Sequence, residues 1–187
     1  MKILSITILS LVFFFNVCAQ TVKITTSLGD IVVELESKKA PVTVANFLKY
    51  VEEGYYKNAI FFRTVHKNNQ PVNPIKITVI QGGAAEDKDR FESIPLERTS
   101  KTGLKHKNGT ISMARSEPDT AQDSFFICID DQPELDFGGK RNPDGQGFAA
   151  FGQVIKGMDV VRKINQSPSD GQSIKPPVLI KDIVILK

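Results

Sequence analysis

Short stretches of strand-like sequence, separated by turn residues, are the feature that most limits how this chain can fold. Eight of them are apolar or alternate between apolar and polar residues: 21–24, 31–36, 60–65, 75–80, 110–113, 124–129, 148–154 and 178–186. Helical periodicity occurs twice, from Pro41 to just before Gly54 and again after Gly157. About eight short strands with two helices predict a mainly β fold, a closed eight-stranded antiparallel β-barrel capped by two α-helices.

The segments between the strands add detail to this prediction. The glycine-bearing turn at 27–30 predicts a hairpin between the first two strands. Gly82-Gly83 is expected to end the fourth strand. Between 84 and 108 no period is sustained, so we expect a long loop with a possible short strand at 94–96.

Length and charge restrict the class of protein. At 187 residues, with 41% hydrophobic and 24% charged residues, the chain is long enough for one well-buried core and too short for two. The net charge of +3 is spread along the sequence, and the densest basic stretch, 101–107, has no interleaved aromatic residues. We expect one domain over residues 20–187 that is monomeric and does not bind nucleic acid.

The first residues have the pattern of a secretory signal peptide. Lys2 precedes an apolar run over 3–15, and the small residues Cys18 and Ala19 follow. The run is too short for a permanent membrane span, so the sequence predicts a signal peptide over 1–19, export to the periplasm and no stable membrane insertion. The alternative is a lipid anchor at Cys18, although the preceding FNV is a poor match to bacterial lipoprotein signals.

The polar residues exclude several chemistries. His66 and His106 lie in polar segments without Cys, Asp or Glu at ligand spacing, so no metal and no cofactor is expected. No nucleophile-elbow sequence surrounds a serine, and the glycine pairs are not followed by the Gly-Lys-Ser/Thr of a phosphate loop. Cys128 would be the single cysteine of the mature chain, and its apolar strand favours an inert hydrophobe over a catalytic thiol.

One arginine interrupts an apolar strand, and six segments around it resemble a known family. Arg63 stands in AIFFRTV, where a guanidinium must pair with an acid, face solvent or point into a site. The order and spacing of six segments resemble the cyclophilin-type peptidyl-prolyl isomerases: APVTVANFLKYVEEGYYKNAIFFR, VIQGG, IPLE, TGLKHKNGTISMAR, DSFFICI and FAAFGQVIKGMDVVRKI. The resemblance implies the same capped barrel and proline-containing, unfolded or partly folded polypeptides as partners.

The resemblance also implies a function for Arg63. In this family the matching arginine lies on the outer face of the barrel, beside an apolar pocket for the proline ring. Rotation about an X-Pro bond crosses a barrier of about 18–20 kcal/mol, and the twisted amide gains a lone pair on the prolyl nitrogen. A guanidinium aimed at that nitrogen stabilises the twisted state over both planar isomers, so Arg63 is the predicted catalytic residue.

The other predicted site residues come from the same resemblance. It implies substrate binding by the pocket floor Phe126, the backbone contact Gln81, the small residue Ala114, the aliphatic wall Leu135, and also by Val79, Arg115 and Phe148. Several positions depart from the family's pattern. Thr78 and Val79 replace Phe-Met, Arg115 replaces an asparagine, Ser124 a glutamine, Glu134 a tryptophan or other large residue, and Phe148 a histidine.

Two functions remain open at this point. The first is a peptidyl-prolyl cis-trans isomerase that acts on exported, folding proteins, which Arg63, Phe126 and Gln81 favour. The alternative is a non-catalytic proline-segment-binding or chaperone module on a cyclophilin fold, whose pocket is too eroded for turnover. The segment between Arg63 and Gln81 is longer than in compact members, so 66–77 is an insertion. It is either a loop or extended hairpin beside the groove, or a tolerated surface insertion.

Overall fold

Antiparallel strands form a closed wall. The structure is a computed structural model, and it describes residues 20–85 and 89–186. Its strands are β1 (Gln20–Thr26), β2 (Asp30–Leu35), β3 (Ala59–Val65), β4 (Val79–Gly83), β5 (Thr110–Met113), β6 (Phe125–Cys128), β7 (Ala149–Lys156), β8 (Ser169–Asp170) and β9 (Ser173–Leu186). Their order is β1-β2-β7-β5-β6-β4-β3-β9, and β9 pairs again with β1, which closes eight strands into a barrel. The predicted fold class is confirmed, and the two-residue β8 is added at the start of β9.

The predicted hairpin between β1 and β2 is present. Ile24 lies opposite Ile31 in the antiparallel register. The Thr26 hydroxyl donates to the carbonyl of Gly29 at 2.7 Å and accepts the amide of Leu28 at 3.0 Å. These two bonds satisfy the turn's backbone groups, so the turn fixes the register of the pair.

Three helices accompany the barrel: α1 (Pro41–Glu52), α2 (Thr99–Thr102) and α3 (Met158–Asn165). The two long ones were predicted, whereas α2 is a single turn and too short to show a period. α1 packs against β7 and β9, and α3 packs against β2, β3 and β4. Within 20–85 and 89–186, no helix is long and apolar enough to cross a bilayer. The predicted signal peptide, with Cys18, lies outside the described residues.

The fourth strand differs from the prediction at both ends. It begins at Val79 rather than at residue 75, because the side chain of Gln70 bonds to both the amide (3.3 Å) and the carbonyl (2.8 Å) of Ile77. Those are groups that a strand would offer to its neighbour. At the other end, Gly82 and Gly83 belong to the strand. A Cβ on Gly82 would lie 2.9 Å from the carbonyl oxygen of Ile60, so the close approach of β3 requires glycine there.

Two further strand boundaries also differ. The possible strand at 94–96 is reduced to one bridge between Ile94 and Ala121, since the amide of Leu96 bonds to the Asp119 carboxylate at 2.7 Å instead. β9 begins at Ser173, earlier than the predicted residue 178, because its first residues pair with β8. A two-residue partner leaves no pattern in the sequence.

An aromatic cluster fills the barrel. Phe125 is fully buried and meets three rings edge-on, those of Phe47, Tyr56 and Phe61, with centroids 5.6 to 5.7 Å apart. Phe47 comes from α1 and also contacts Phe151 of β7 at 5.2 Å. The helix also contributes Val44, Leu48, Tyr50 and Val51 to the interior, as its apolar stripe predicted.

Candidate active site

Strand β6 contributes side chains to two apolar clusters, one on each of its faces. Phe125 and Ile127 belong to the barrel interior. Phe126 and Cys128 alternate with them and belong to a second, smaller cluster. This follows from the two-residue period of a strand, which sends successive side chains to opposite faces. Burial raises the pKa of the Cys128 thiol, so it remains neutral, as expected for an inert packing residue.

The second cluster opens into a cleft of about 310 Å³, and this cleft brings all eight predicted site residues together. They line it with four others: Arg63, Val79, Gln81, Ala114, Arg115, Phe126, Leu135 and Phe148, joined by Asn73, Ile77, Arg141 and Asn142. The roles assigned to them remain predictions. Their sequence separation shows that the barrel wall, and no single motif, assembles the site.

Neutral oxygens hold the guanidinium of Arg63. Nε and Nη2 donate to Oε1 of Gln172 at 2.9 and 2.6 Å, and Nη1 donates to Oε1 of Gln81 at 3.0 Å. No carboxylate of residues 20–85 and 89–186 pairs with it, so the described part of the chain gives this arginine no acidic partner. Burial lowers the pKa of Arg63, but an arginine titrates so far above neutral pH that it stays charged.

The pocket floor is an aromatic ring fixed from two sides. Phe126 is 5% exposed, and Phe148 meets it edge-on with centroids 5.3 Å apart. On its other side the imidazole of His106 lies parallel to it, at 5.9 Å and an interplanar angle of 14°. Phe126 therefore presents a rigid apolar surface to the cleft, suited to a ring of proline size.

Behind this floor lies a buried hydrogen-bonded chain. Nδ1 of His106 is 2.8 Å from Oδ1 of Asp136, and Nε2 is 2.9 Å from Oγ of Ser112. The arrangement has the order of a hydrolytic triad, but Ser112 is fully buried and His106 is 1% exposed, so no substrate reaches the hydroxyl. The chain fixes the ring against which Phe126 stacks. The sequence suggested an exposed loop for His106, and only its partners, distant in sequence, explain its burial.

Arg115 lines the cleft, yet its head group is bound within the protein. Nη1 and Nη2 donate to the two carboxylate oxygens of Asp144 at 2.7 and 3.0 Å, and Nε donates to the carbonyl of Gly147 at 2.9 Å. The side chain is 1% exposed and packs over the ring of Phe148 at 5.1 Å. It supports the rim, and its predicted contact with substrate remains a prediction.

The sequence did not identify five residues of this site. Gln172 holds Arg63, and Asn73, Ile77, Arg141 and Asn142 complete the walls. Asn73 and Ile77 lie in the predicted insertion at 66–77, which is a loop with one 3-10 turn (Lys67–Asn69) rather than a hairpin. The excess length between Arg63 and Gln81 was therefore a usable signal, whereas the glutamine and the arginine lie in segments where nothing marked them.

The chain thus belongs to the class of closed antiparallel β-barrels that carry a cleft on the outer wall, here floored by phenylalanine and bordered by an arginine. The profile of the family described as cyclophilin type peptidyl-prolyl cis-trans isomerase/CLD matches residues 21–185. The chain belongs to this family, which confirms the predicted family and enzyme class.

Individual relatives agree with this assignment. The chain is 37% identical to peptidyl-prolyl cis-trans isomerase A of Dickeya dadantii, over 96% of this chain and 91% of that protein. It is 36% identical to peptidyl-prolyl cis-trans isomerase B of Escherichia coli, over 86% and 93%. The fold is similar to a cyclophilin type isomerase of Cryptosporidium parvum, with a TM-score of 0.73 and 28% identity over 91% and 99% of the two chains. A second structure of that protein, with a TM-score of 0.69, was determined in the presence of the dipeptide Ala-Pro.

Proposed function

We propose that this protein accelerates rotation about X-Pro bonds in exported polypeptides while they fold, and that Arg63 is its catalytic residue. One observation carries the proposal: a charged guanidinium, with no carboxylate on it in the described part of the chain, borders the same cleft as the phenylalanine floor. The two groups fit the two parts of an X-Pro unit: the cationic donors of Arg63 suit the amide nitrogen, and the apolar surface of Phe126 suits the pyrrolidine ring.

The chemistry requires no bond to break. The proline ring lies on Phe126, which leaves the carbonyl preceding the proline free to rotate. As the amide twists, its nitrogen becomes pyramidal and basic, and an N–H of Arg63 donates to it. A charge-assisted hydrogen bond made only in the twisted state contributes about 1.5–3 kcal/mol, which is roughly tenfold to a hundredfold in rate.

The walls of the cleft supply a second contribution. Val79, Leu135 and Phe148 exclude water from the ring and from one side of the amide. The twisted amide is less polar than the planar one, so a partly dry surface favours it. Gln81 and Gln172 hold the guanidinium in place before substrate arrives, so little reorganisation accompanies the rotation.

Binding without turnover is the second candidate. The observation that favours it is Arg115, which stands where the family often has an asparagine and whose donors are already bonded to Asp144 and Gly147. If the substrate backbone is held too loosely, proline segments bind but do not align with Arg63. Catalysis depends on the alignment of the reacting amide with Arg63, and a loss of contacts to the substrate backbone disturbs that alignment.

The deciding experiment compares the protein with Arg63→Ala in two assays at low temperature, where uncatalysed isomerisation is slow. One assay follows a short X-Pro peptide and the other a proline-limited refolding reaction. We expect acceleration of both, and a loss of roughly tenfold to a hundredfold in kcat/KM in the variant. Arg162→Ala, which removes an exposed arginine paired with Asp130, is the matched control and should keep full activity. Binding of proline peptides without acceleration would establish the second candidate.

Export is part of the proposal, and the N-terminal sequence pattern supports it. Mass spectrometry of the protein isolated from cell fractions tests it directly. A periplasmic protein that begins at residue 20 is the expected result. A diacylglyceryl-modified Cys18 would replace free export by membrane anchoring, and an intact N-terminus in the cytoplasm would refute export.

A further inference from the structure

The substrate cleft contains two guanidinium groups that no described carboxylate neutralises. Arg63 donates to glutamine side chains, as shown above. Arg141 donates to Oε1 of Gln70 at 2.8 Å and to the carbonyl oxygen of Ile75 at 2.6 Å. All of these acceptors are uncharged, and the described residues that line the cleft include neither Asp nor Glu.

Arg115 shows by contrast how a cation of the same cleft is neutralised. It forms a two-pronged ion pair with Asp144, and its side chain is 1% exposed. The chain could have supplied an acid to the other two arginines in the same way. Apart from Asp144, the carboxylates that form ion pairs within the described ranges pair with residues outside the cleft, so Arg63 and Arg141 leave positive charge at this site.

The charges of Arg63 and Arg141 influence each other. Burial lowers the pKa of Arg141, and the neighbouring charge of Arg63 lowers it further. Like charges held close together in a partly buried cleft repel, and an anion placed between them or beside them relieves that repulsion. A carboxylate is the anion that suits the fork of an arginine.

The position of Arg141 is fixed by the insertion. Gln70 is 2% exposed, and its side chain bonds both to Ile77 and to Arg141, so one residue holds the insertion and the guanidinium together. Asn73 and Ile77 of the insertion line the cleft beside it. The insertion therefore holds a cation in the same cleft as the phenylalanine floor.

We propose that Arg141 makes this cleft selective for proline segments in which an acidic residue, Asp or Glu, stands next to the proline. This inference rests on the proposed function, because it concerns the substrates of the same site. Arg63 acts on the rotating amide, and Arg141 binds the carboxylate of the flanking side chain. Arg141 is then a specificity-determining residue.

The test uses pairs of short X-Pro peptides that differ only by Glu against Gln. One pair carries the difference directly before the proline and the other directly after it. In low salt, we expect the wild-type protein to isomerise the Glu peptide about tenfold more efficiently in at least one pair, with the advantage falling as salt is added. Equal kcat/KM for Glu and Gln in both pairs would overturn the proposal, and this outcome needs no variant.

Three substitutions test whether Arg141 is the residue that causes the preference for Glu over Gln. Arg141→Gln should bring the Glu-to-Gln ratio close to one, while Arg141→Lys should retain part of it, because the charge remains and the fork is lost. Lys140→Gln is the matched control, since it removes an exposed neighbouring cation that does not line the cleft. An undiminished ratio in Arg141→Gln, or an equal loss in Lys140→Gln, would contradict the assignment.

Failure of the proposed function would be recognised separately. If the wild-type protein turns over none of the four peptides, the isomerase activity is refuted. The same four peptides are then titrated into the protein, and their affinities are measured by NMR. The affinities of the Glu and Gln peptides are compared in place of their kcat/KM values. Tighter binding of a Glu peptide that disappears in Arg141→Gln supports the selectivity, and equal affinities overturn it.

Discussion

The barrel interior and the outer cleft are built from alternate residues of the same strands, and they differ in what closes them. In β6, Phe125 and Ile127 face the interior, whereas Phe126 and Cys128 face the cleft side. The interior is sealed by α1, by α3 and by the closed ring of strands. The cleft side is bordered by shorter segments, among them the insertion at 66–77, and part of its apolar surface lines an open cleft.

The polar groups of the two regions differ in the same way. Tyr56 lies in the interior cluster, and its hydroxyl donates to the carbonyl of Asp123 at 2.6 Å, which satisfies it within the fold. Burial raises its pKa well above the ordinary value. At the cleft, Arg63 and Arg141 are hydrogen-bonded only to uncharged acceptors within the described part of the chain. A region that only stabilises satisfies its polar groups completely, and a region that binds leaves charge for its ligand.

The largest effect is expected from Phe125→Ala, which tests the interior. The ring meets three aromatic partners in a sealed space, so its loss leaves a cavity that cannot collapse fully. We expect a loss of about 3–5 kcal/mol in the free energy of unfolding, measured by chemical denaturation. Phe137→Ala, which removes a ring that is 43% exposed, should cost about 0.5 kcal/mol or less. Similar losses for the two would show that the interior is not the stabilising region.

Phe126→Ala tests the cleft with the neighbouring residue of the same strand. Without the floor, the proline ring loses an apolar contact of about 2–3 kcal/mol, so kcat/KM should fall roughly a hundredfold. The free energy of unfolding should fall less than in Phe125→Ala, because water can enter the open cleft. The comparison between the two regions would be wrong if Phe126→Ala lowered the free energy of unfolding as much as Phe125→Ala does and left kcat/KM nearly unchanged.

Gln172→Ala tests how Arg63 is positioned. It removes the acceptor of two of the three bonds to the guanidinium and leaves the charge and the floor unchanged. We expect kcat to fall about tenfold, with KM for a peptide nearly unchanged, because orientation is lost while the proline pocket remains. A rise in KM at constant kcat would instead identify Gln172 as a substrate contact.

The sequence predicted the interior better than the cleft, and the reason is physical. Interior positions follow a period of two or of 3.6, so β1, β2 and α1 were predicted from the sequence, with only end residues to adjust. The eight predicted residues of the cleft were found through the family resemblance, since they come from several separate segments of the chain and no local period connects those segments.

What escaped prediction depended on contacts between distant residues. Gln70 ends the expected strand at 75–80 because its side chain takes the backbone bonds of Ile77. Gln172 and Arg141 become site residues only when the turn before β9 and the loop after Leu135 meet β3 and the insertion. His106 is buried by Asp136 and Ser112, which lie thirty and six residues away. None of these pairings is visible in a one-dimensional pattern.

The smallest expected effect is a change in stability at low pH. It distinguishes the buried chain of Asp136, His106 and Ser112, which lies behind the cleft, from the barrel interior. Burial of the Asp136 carboxyl opposes its ionisation, but hydrogen bonds from the side chain and the amide of His106 outweigh this, so its pKa is lowered. A carboxyl whose pKa is lower in the folded state stabilises the protein above its unfolded value of about 3.9. That contribution is lost as the pH falls below this value.

The Asp136→Asn variant should therefore be less stable than wild type at pH 7, and should lose less of its unfolding free energy between pH 5 and about pH 3. Asp170→Asn is the control, because Asp170 pairs with Lys175 on the exposed surface and touches neither cluster. NMR signals from the rings of Phe126 and Phe148 should change in acid before those of Phe125, because Phe126 stacks on His106 and Phe148 packs against Phe126. An identical acid response in wild type and Asp136→Asn would show that the buried chain does not support the floor.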